Sequence, residues 1–223
     1  MRKTPNQIAI DGTAASGKTT VGKIVAKELG YMFFDTGIMY RVAAYAANQK
    51  LQDVTDEERV STLVEAMNIE LEEDKANGET NVLLDGKNIT GLLHLPEVDK
   101  IVSTVAAYPA VRTALTNQQR VIGLRGKVVM VGRDIGTVVM PDAEMKIYLE
   151  ASAETRAKRR HMENLSKNIE SNYDEILADV IKRDKADMER TVAPLRPADD
   201  AVIIHTDDYT AAEVAQKILD LMD

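Results

Sequence analysis

The run Gly12-Thr13-Ala14-Ala15-Ser16-Gly17-Lys18-Thr19 constrains this chain more than any other stretch, because it works in only one structural setting. A strand-like segment, Gln7-Ile8-Ala9-Ile10-Asp11, precedes it, and an apolar helical pattern at Val21, Ile24, Val25 and Leu29 follows. The pattern G-x-x-x-x-G-K-[ST] between a strand and a helix predicts a loop whose successive N–H groups face a phosphate chain. The helix N-terminus adds its partial positive charge there. Lys18 is expected to reach the outer phosphates. The Thr19 hydroxyl is expected to ligate Mg²⁺ riding on them, with Thr20 beside it. The chain is therefore expected to bind a nucleoside triphosphate and to be built on a strand–loop–helix unit.

Composition narrows the class. With 28 basic and 36 acidic residues the net charge is −8, which argues against broad binding to nucleic acid, so phosphate binding must come from locally placed cations. The absence of cysteine excludes disulfides, thiolate catalysis and cysteine-ligated zinc. His94, His161 and His205 are too scattered to suggest a histidine metal site. No apolar run approaches membrane-spanning length, and the first strand begins too early for a signal peptide. A cytoplasmic enzyme, acting as a monomer, is the expectation.

Short β-rich runs alternate with longer helical ones, which predicts an α/β fold with a five-stranded parallel sheet flanked by helices on both faces. The strand candidates are Gln7–Asp11, Met32–Asp35, Lys127–Val131, Met145–Leu149 and Ala201–His205. Pro96 and Pro109 each open a helix, and the last helix carries Ala211, Val214, Ala215, Ile218, Leu219 and Met222 on one face. Asn68–Thr90 breaks the alternation and reads as two or three short antiparallel strands, with turns at Lys75-Ala76-Asn77-Gly78 and Asp85-Gly86. The expected organisation is a single kinase-like domain over residues 1–223, with this small β insertion at 68–90 and a lid with flanking helices over about 153–190.

Four groups of residues carry chemistry. Asp35-Thr36-Gly37 ends the second strand and leads to Arg41; Asp35 can hold Mg²⁺ through water, Thr36 can bond a phosphate oxygen and Arg41 can clamp one. The alternative is that Asp35 or Thr36 caps the next helix. Arg133 and Asp134, between Gly132 and Gly136, end the third strand, where arginine offers a fork to phosphate and aspartate can accept from a base amino group. A solvated turn is the bland alternative. Arg156, Arg159 and Arg160 share one helix face, suited either to solvent or to a lid closing on the donor phosphates. On the helix from Tyr173 to Arg190, the apolar side of Tyr173, Ile176, Leu177, Val180 and Ile181 continues as Arg183, Asp187 and Arg190. A core-facing side that turns charged has usually reached a polar cleft; a plain Arg183–Asp187 ion pair is the alternative.

Taken together these segments resemble the bacterial cytidylate kinases over nearly the whole chain. The resemblance rests on IAIDGTAASGKTT, FFDTGIMYR, the stretch from Ser103 to Arg112, GRDIGTVV with the following PDAE, KIYL and AS, and KRDKADMERTVAPLRPADDAV. It implies transfer of the γ-phosphoryl group of ATP to CMP or dCMP with Mg²⁺. By position, Thr36, Arg41, Arg133 and Arg190 would hold the acceptor phosphate. Ser103, Arg112 and Asp134 would read cytosine, and Arg183 and Asp187 would reach the sugar. Lys18, Arg133, Arg190 and Asp35 would carry the catalysis, with the loop from Gly12 to Thr20 and lid arginines Arg156 and Arg160 on ATP. Two departures stand out: Val131 replaces an acid usual before Gly132, which puts more weight on Asp35, and His94 lies where relatives tend to carry a nearby arginine.

Rival classes leave weaker marks. A GTPase switch needs N-K-x-D and D-x-x-G, and neither pattern occurs in the sequence. An ATP-binding protein without transferase activity is suggested only by Val131. A kinase for AMP, UMP or shikimate is the enzymatic alternative, and the cytosine-reading set argues against it.

Overall fold

The computed structural model describes residues 4–73 and 80–222. Their elements in chain order are β1 (Gln7–Gly12), α1 (Lys18–Leu29), β2 (Met32–Asp35), α2 (Gly37–Lys50), α3 (Glu57–Glu65), β3 (Ile69–Glu73), β4 (Thr80–Leu84) and β5 (Lys87–Asn88). After them come α4 (Pro96–Val105), α5 (Pro109–Gly123), β6 (Val128–Gly132), β7 (Met145–Glu150), α6 (Ala153–Ser166), α7 (Tyr173–Glu189), β8 (Val202–His205) and α8 (Ala211–Asp220). The chain divides into two compact units, one made of Met1–Asp35 with Gln119–Asp223 and the other of Thr36–Gln118.

The first unit holds the parallel sheet expected from the alternation. Its order is β2-β6-β1-β7-β8, with β1 at the centre, bonded to β6 on one side and β7 on the other. All its pairings are parallel. Because side chains alternate along a strand, β1 sends Ile8 and Ile10 to one face and Ala9 and Asp11 to the other. The first face makes the apolar core: Ile8, Ile10, Val129, Val131, Ile147 and Leu149 pack with Val21 and Val25 of α1 and with Val214, Ala215 and Ile218 of α8. Val131 is thus wholly buried in that core. Gly22 lets α1 sit close to the sheet, since a Cβ there would lie 2.7 Å from Val131 Cγ1 and 2.9 Å from Phe33 Cε2.

The second unit contains the small antiparallel sheet β3-β4-β5. Its β4–β5 hairpin turns on Asp85 and Gly86, both in the left-handed region at φ 51° and 78°, the backbone a tight two-residue turn requires. The turn expected at Lys75–Gly78 lies outside the described residues. Helix α3 carries no strong sequence signal beyond Asp56, whose side chain caps it by accepting from Arg59 N at 3.1 Å.

Gly22→Ala is expected to destabilise the protein by about 1–3 kcal/mol, because Val131 and Phe33 have to be pushed aside in a packed core. A thermal melt checks this; an unchanged Tm would mean that α1 does not depend on the close approach.

Candidate functional site

The phosphate loop of the first unit takes its shape from glycine at the places where side chains cannot go. A Cβ on Gly12 would lie 2.3 Å from Leu149 O, and Gly17, at φ 93°, is left-handed. Between them Ala15 is also left-handed, at φ 59°, a conformation that costs a non-glycine residue on the order of 1–2 kcal/mol. Residues distant in sequence hold the loop in place. Arg156 donates to Ala14 O at 3.1 Å, and Thr206 Oγ1 to Ser16 O at 3.5 Å. The hydroxyls of Thr13 and Ser16 are buried and have no hydrogen-bond partner among the described residues, as suits a loop meant to receive an oxygen-rich ligand.

Lys18 is buried, and its Nζ donates to Thr13 O at 2.7 Å. Burial, helped by the Arg133 charge, pulls its pKa down to about 7. A phosphate placed beside it would reverse that shift. One residue on, Thr19 Oγ1 donates to Asp35 Oδ2 at 2.8 Å, so a hydroxyl and a carboxylate lie together at the ends of α1 and β2. Among the described residues no group of three or more acidic, histidine or cysteine side chains could hold a metal ion by itself. An all-oxygen pair of this kind fits Mg²⁺, which keeps several waters and takes its other ligands from substrate phosphates.

Beyond β6 the chain turns sharply. Ile135–Val139 forms one π-helical turn, in which Asp134 O accepts from Val139 N at 3.1 Å and Ile135 O from Met140 N at 2.6 Å. Such turns are rare and often accompany functional residues. Arg133 and Asp134, just ahead of it, are joined there by the end of α7. Arg133 Nε donates to Asp187, Arg190 Nη1 lies 3.4 Å from the other Asp187 oxygen, and Arg190 Nη2 is 3.9 Å from Asp134. Arg190 is further fixed by Nε donating to Ala193 O at 2.6 Å. Burial works to lower the Arg133 pKa, but the charge of Asp187 and its hydrogen bond prevail and raise it. For the same reason Asp187 is held below the usual carboxylate range despite its own burial. The sequence left Arg133–Asp134 open between a cleft and a solvated turn; Asp134 is 3% exposed.

The three arginines of α6 have separate surroundings. Arg156 is buried; its Nη1 donates to Asp184 Oδ1 at 2.9 Å, its Nη2 to the other oxygen of that carboxylate, and its Nε to Ala151 O at 3.0 Å. Arg159 bonds Thr206 Oγ1 at 3.1 Å, and Arg160 is exposed. Asp184 and Thr206 carry no signal in the sequence, because their partners lie far away along the chain.

In the second unit, Thr36 is buried at the N-cap of α2. Arg41 Nη1 lies 2.7 Å from Asp99 Oδ1 and donates to Leu93 O at 2.9 Å, tying α2 to the stretch that enters α4. Ser103 is exposed on α4. Arg112 is buried on α5, donates from Nη1 to Ala106 O at 2.9 Å, and stacks its guanidinium 5.1 Å above the Tyr40 ring.

Asp11, on the strand before the phosphate loop, is a buried carboxyl that sequence reasoning left unassigned. Its two oxygens accept from Ile135 N at 2.8 Å and Gly136 N at 2.7 Å. Burial nevertheless pushes its pKa up to about 7, with Asp134 adding to the rise and the two N–H groups and Lys18 opposing it. A lone acid in an otherwise apolar strand, directly ahead of the loop, was the available signal.

Comparison with known proteins adds three findings. The cytidylate kinase family profile matches residues 8–223. The chain is 45% identical over 217 residues to a cytidylate kinase of Bacillus cereus (strain B4264), covering 96% of this chain and 95% of that protein. It is 44% identical over 215 residues to a cytidylate kinase of Bacillus thuringiensis (strain Al Hakam), with the same coverage. Among solved structures, an uncharacterized protein from Eubacterium ventriosum ATCC 27560 shares the fold, with a TM-score of 0.51 at 13% identity over 97% of both chains.

The raised Asp11 pKa fixes the sign of a pH effect. In the unfolded chain the group ionises near its ordinary 3.8, whereas in the folded protein it ionises near 7, so between those values the folded state binds the extra proton. Stability from this group is present below about pH 4 and is lost as pH rises to about 7. Asp11→Asn cannot ionise, so the Tm of the ligand-free wild type relative to this variant should fall steadily across that window. A constant gap in melts at successive pH values would show that Asp11 ionises normally in the fold.

Proposed function

The chain belongs to the cytidylate kinase family, and from that premise we infer how its residues share the reaction. The enzyme transfers the γ-phosphoryl group of ATP to CMP or dCMP, giving ADP and CDP or dCDP. A phosphate oxygen of the monophosphate attacks the γ-phosphorus, and the bond from that phosphorus to the β,γ-bridging oxygen breaks, leaving ADP. The attacking atom is already anionic, so no protein base is needed; the protein's task is alignment and neutralisation of charge.

In this reading the loop from Gly12 to Thr20 cradles the ATP phosphates and Lys18 neutralises the outermost of them. Thr19, with Asp35 acting through water, would hold Mg²⁺, which supplies charge neutralisation between the phosphates. Arg133 and Arg190 take the transferred group and the acceptor phosphate, joined by Thr36 and Arg41. Ser103, Arg112 and Asp134 read cytosine, and Arg183 and Asp187 reach the sugar. Residues of about 153–190 act as the lid, within a single kinase domain that carries the 68–90 insertion. Arg160 is the exposed lid arginine suited to meet ATP, whereas Arg156 serves ATP through its grip on Ala14 O. The enzyme works as a monomer in the cytoplasm.

One observation supports this division above the others. Arg133, Asp134, Asp187 and Arg190 form a half-buried cluster of two cations and two anions directly beyond β6, the neighbour of the strand that leads into the phosphate loop. Each arginine there is already oriented by a carboxylate. An arriving phosphate finds the cations in position and does not have to order two flexible side chains.

Two measurements test the reading. Lys18→Met should lower turnover by about a hundredfold or more while leaving the Tm unchanged, as expected for the loss of a transition-state contact of a few kcal/mol. Activity within tenfold of wild type would remove Lys18 from the chemistry. In base choice, CMP and dCMP should exceed UMP, with AMP and GMP poorest, since uracil O4 facing Asp134 and uracil N3–H facing Arg112 leave mismatched polar groups, each costing about 1–3 kcal/mol. Asp134→Asn should weaken CMP and narrow the CMP-to-UMP ratio of kcat/KM; an unchanged ratio would overturn the base-reading role.

A further inference from the structure

Asp11 is buried, charged in principle, and unused by the reaction as described above. It sits on the face of β1 opposite the apolar core, beside Gly132 of β6 and Tyr148 of β7 in the strand register. Across 124 and 125 residues of chain its two oxygens accept the N–H groups of Ile135 and Gly136. Those amides open the π-helical turn, where the first N–H groups of any helical turn have no partner within it. Asp134 is the residue that enters this turn, with backbone angles of φ −145° and ψ 26°, and its carbonyl accepts from Val138 N at 2.9 Å and from Val139 N.

We propose that Asp11 is a positioning residue for the acceptor nucleotide: by capping the turn at Ile135 and Gly136 it fixes the direction of the Asp134 carboxylate before CMP arrives. One feature favours a role on this side over one on the adjacent phosphate loop. Among the described residues the side-chain hydrogen bonds of Asp11 run to the turn and none to Gly12–Thr19. A carboxyl group presents two acceptors, and no other side chain of this size does so. Asparagine at position 11 would turn an NH₂ against one of the two amides.

The inference rests on the base-reading role given to Asp134, and its test separates the two. In Asp11→Asn, KM for CMP should rise about tenfold or more, as for an amide that loses its buried acceptor, while KM for ATP stays within about twofold. The CMP-to-UMP ratio should narrow toward that of Asp134→Asn. A folded Asp11→Asn enzyme with unchanged KM for CMP, or with KM for ATP rising in step, would overturn the positioning role even where Asp134→Asn behaves as expected. If Asp134→Asn alone leaves base choice intact, the base-reading role fails first. Should Asp11→Asn not fold, amide hydrogen exchange of the wild-type enzyme decides. The Ile135 and Gly136 amides should be protected in the ligand-free protein and gain little on adding CMP. Free exchange that is suppressed only by CMP would mean the turn is set by the nucleotide and not by Asp11.

Discussion

A protein that handles several phosphates has to keep cations near one another before any phosphate is present, and this structure is organised around that conflict. Burial first, and then the charge of Arg133, draws the Lys18 pKa down to about 7, and among the described residues its Nζ donates to the neutral carbonyl of Thr13. Arg133 does not give way, because Asp187 lies against its guanidinium. Like charges in a poorly solvated place interact strongly, so the difference between the two cations follows from which of them has a carboxylate partner. Under the proposed assignment an incoming phosphate supplies to Lys18 the counter-charge that Asp187 already supplies to Arg133.

The phosphate loop itself is a second case of support from elsewhere. Its glycines permit the backbone path, but Ala15 is held in a left-handed conformation that its own side chain resists. The compensation comes through Arg156 at Ala14 O and Thr206 at Ser16 O, residues contributed by α6 and by the end of β8. Arg156 is in turn locked to Asp184 of α7. Strain in the loop is therefore borne by the surrounding framework, as expected for a backbone shaped to fit a ligand and not to satisfy local preference.

Much of this was legible from the chain. The strand–loop–helix opening, the alternation of β-rich and helical runs, and the Asp-Gly hairpin turn all depend on local pattern, and the parallel sheet and small antiparallel sheet follow from them. The helix from Tyr173 was readable as a helix, but its apolar stripe only in part: Val180 is buried, whereas Ile181, expected on the same core-facing side, is exposed. What was not legible depends on pairings between distant segments. Asp11 with Ile135 and Gly136, Arg156 with Asp184, and Thr206 with the loop are separated by 28 to 190 residues. The π-helical turn escaped notice for a related reason: Ile135–Val139 has no periodicity of its own, and its first amides are satisfied by a residue on another strand.

The carboxylates of the first unit thus have two distinct tasks. Under the proposed assignment Asp187 holds side chains that the substrate also contacts, so binding has to compete with or join an existing ion pair, and the longer second contact, 3.4 Å to Arg190, leaves room for that exchange. Asp11 holds backbone, and nothing in the reaction replaces the two N–H groups it accepts. A carboxylate whose partners are side chains can change partners during a catalytic cycle, whereas one whose partners are amides sets a fixed reference for the chain on either side of them. The residue that enters the turn held by Asp11 is Asp134, so under the proposed assignment the precision of base choice is set on the central strand, one residue before the phosphate loop.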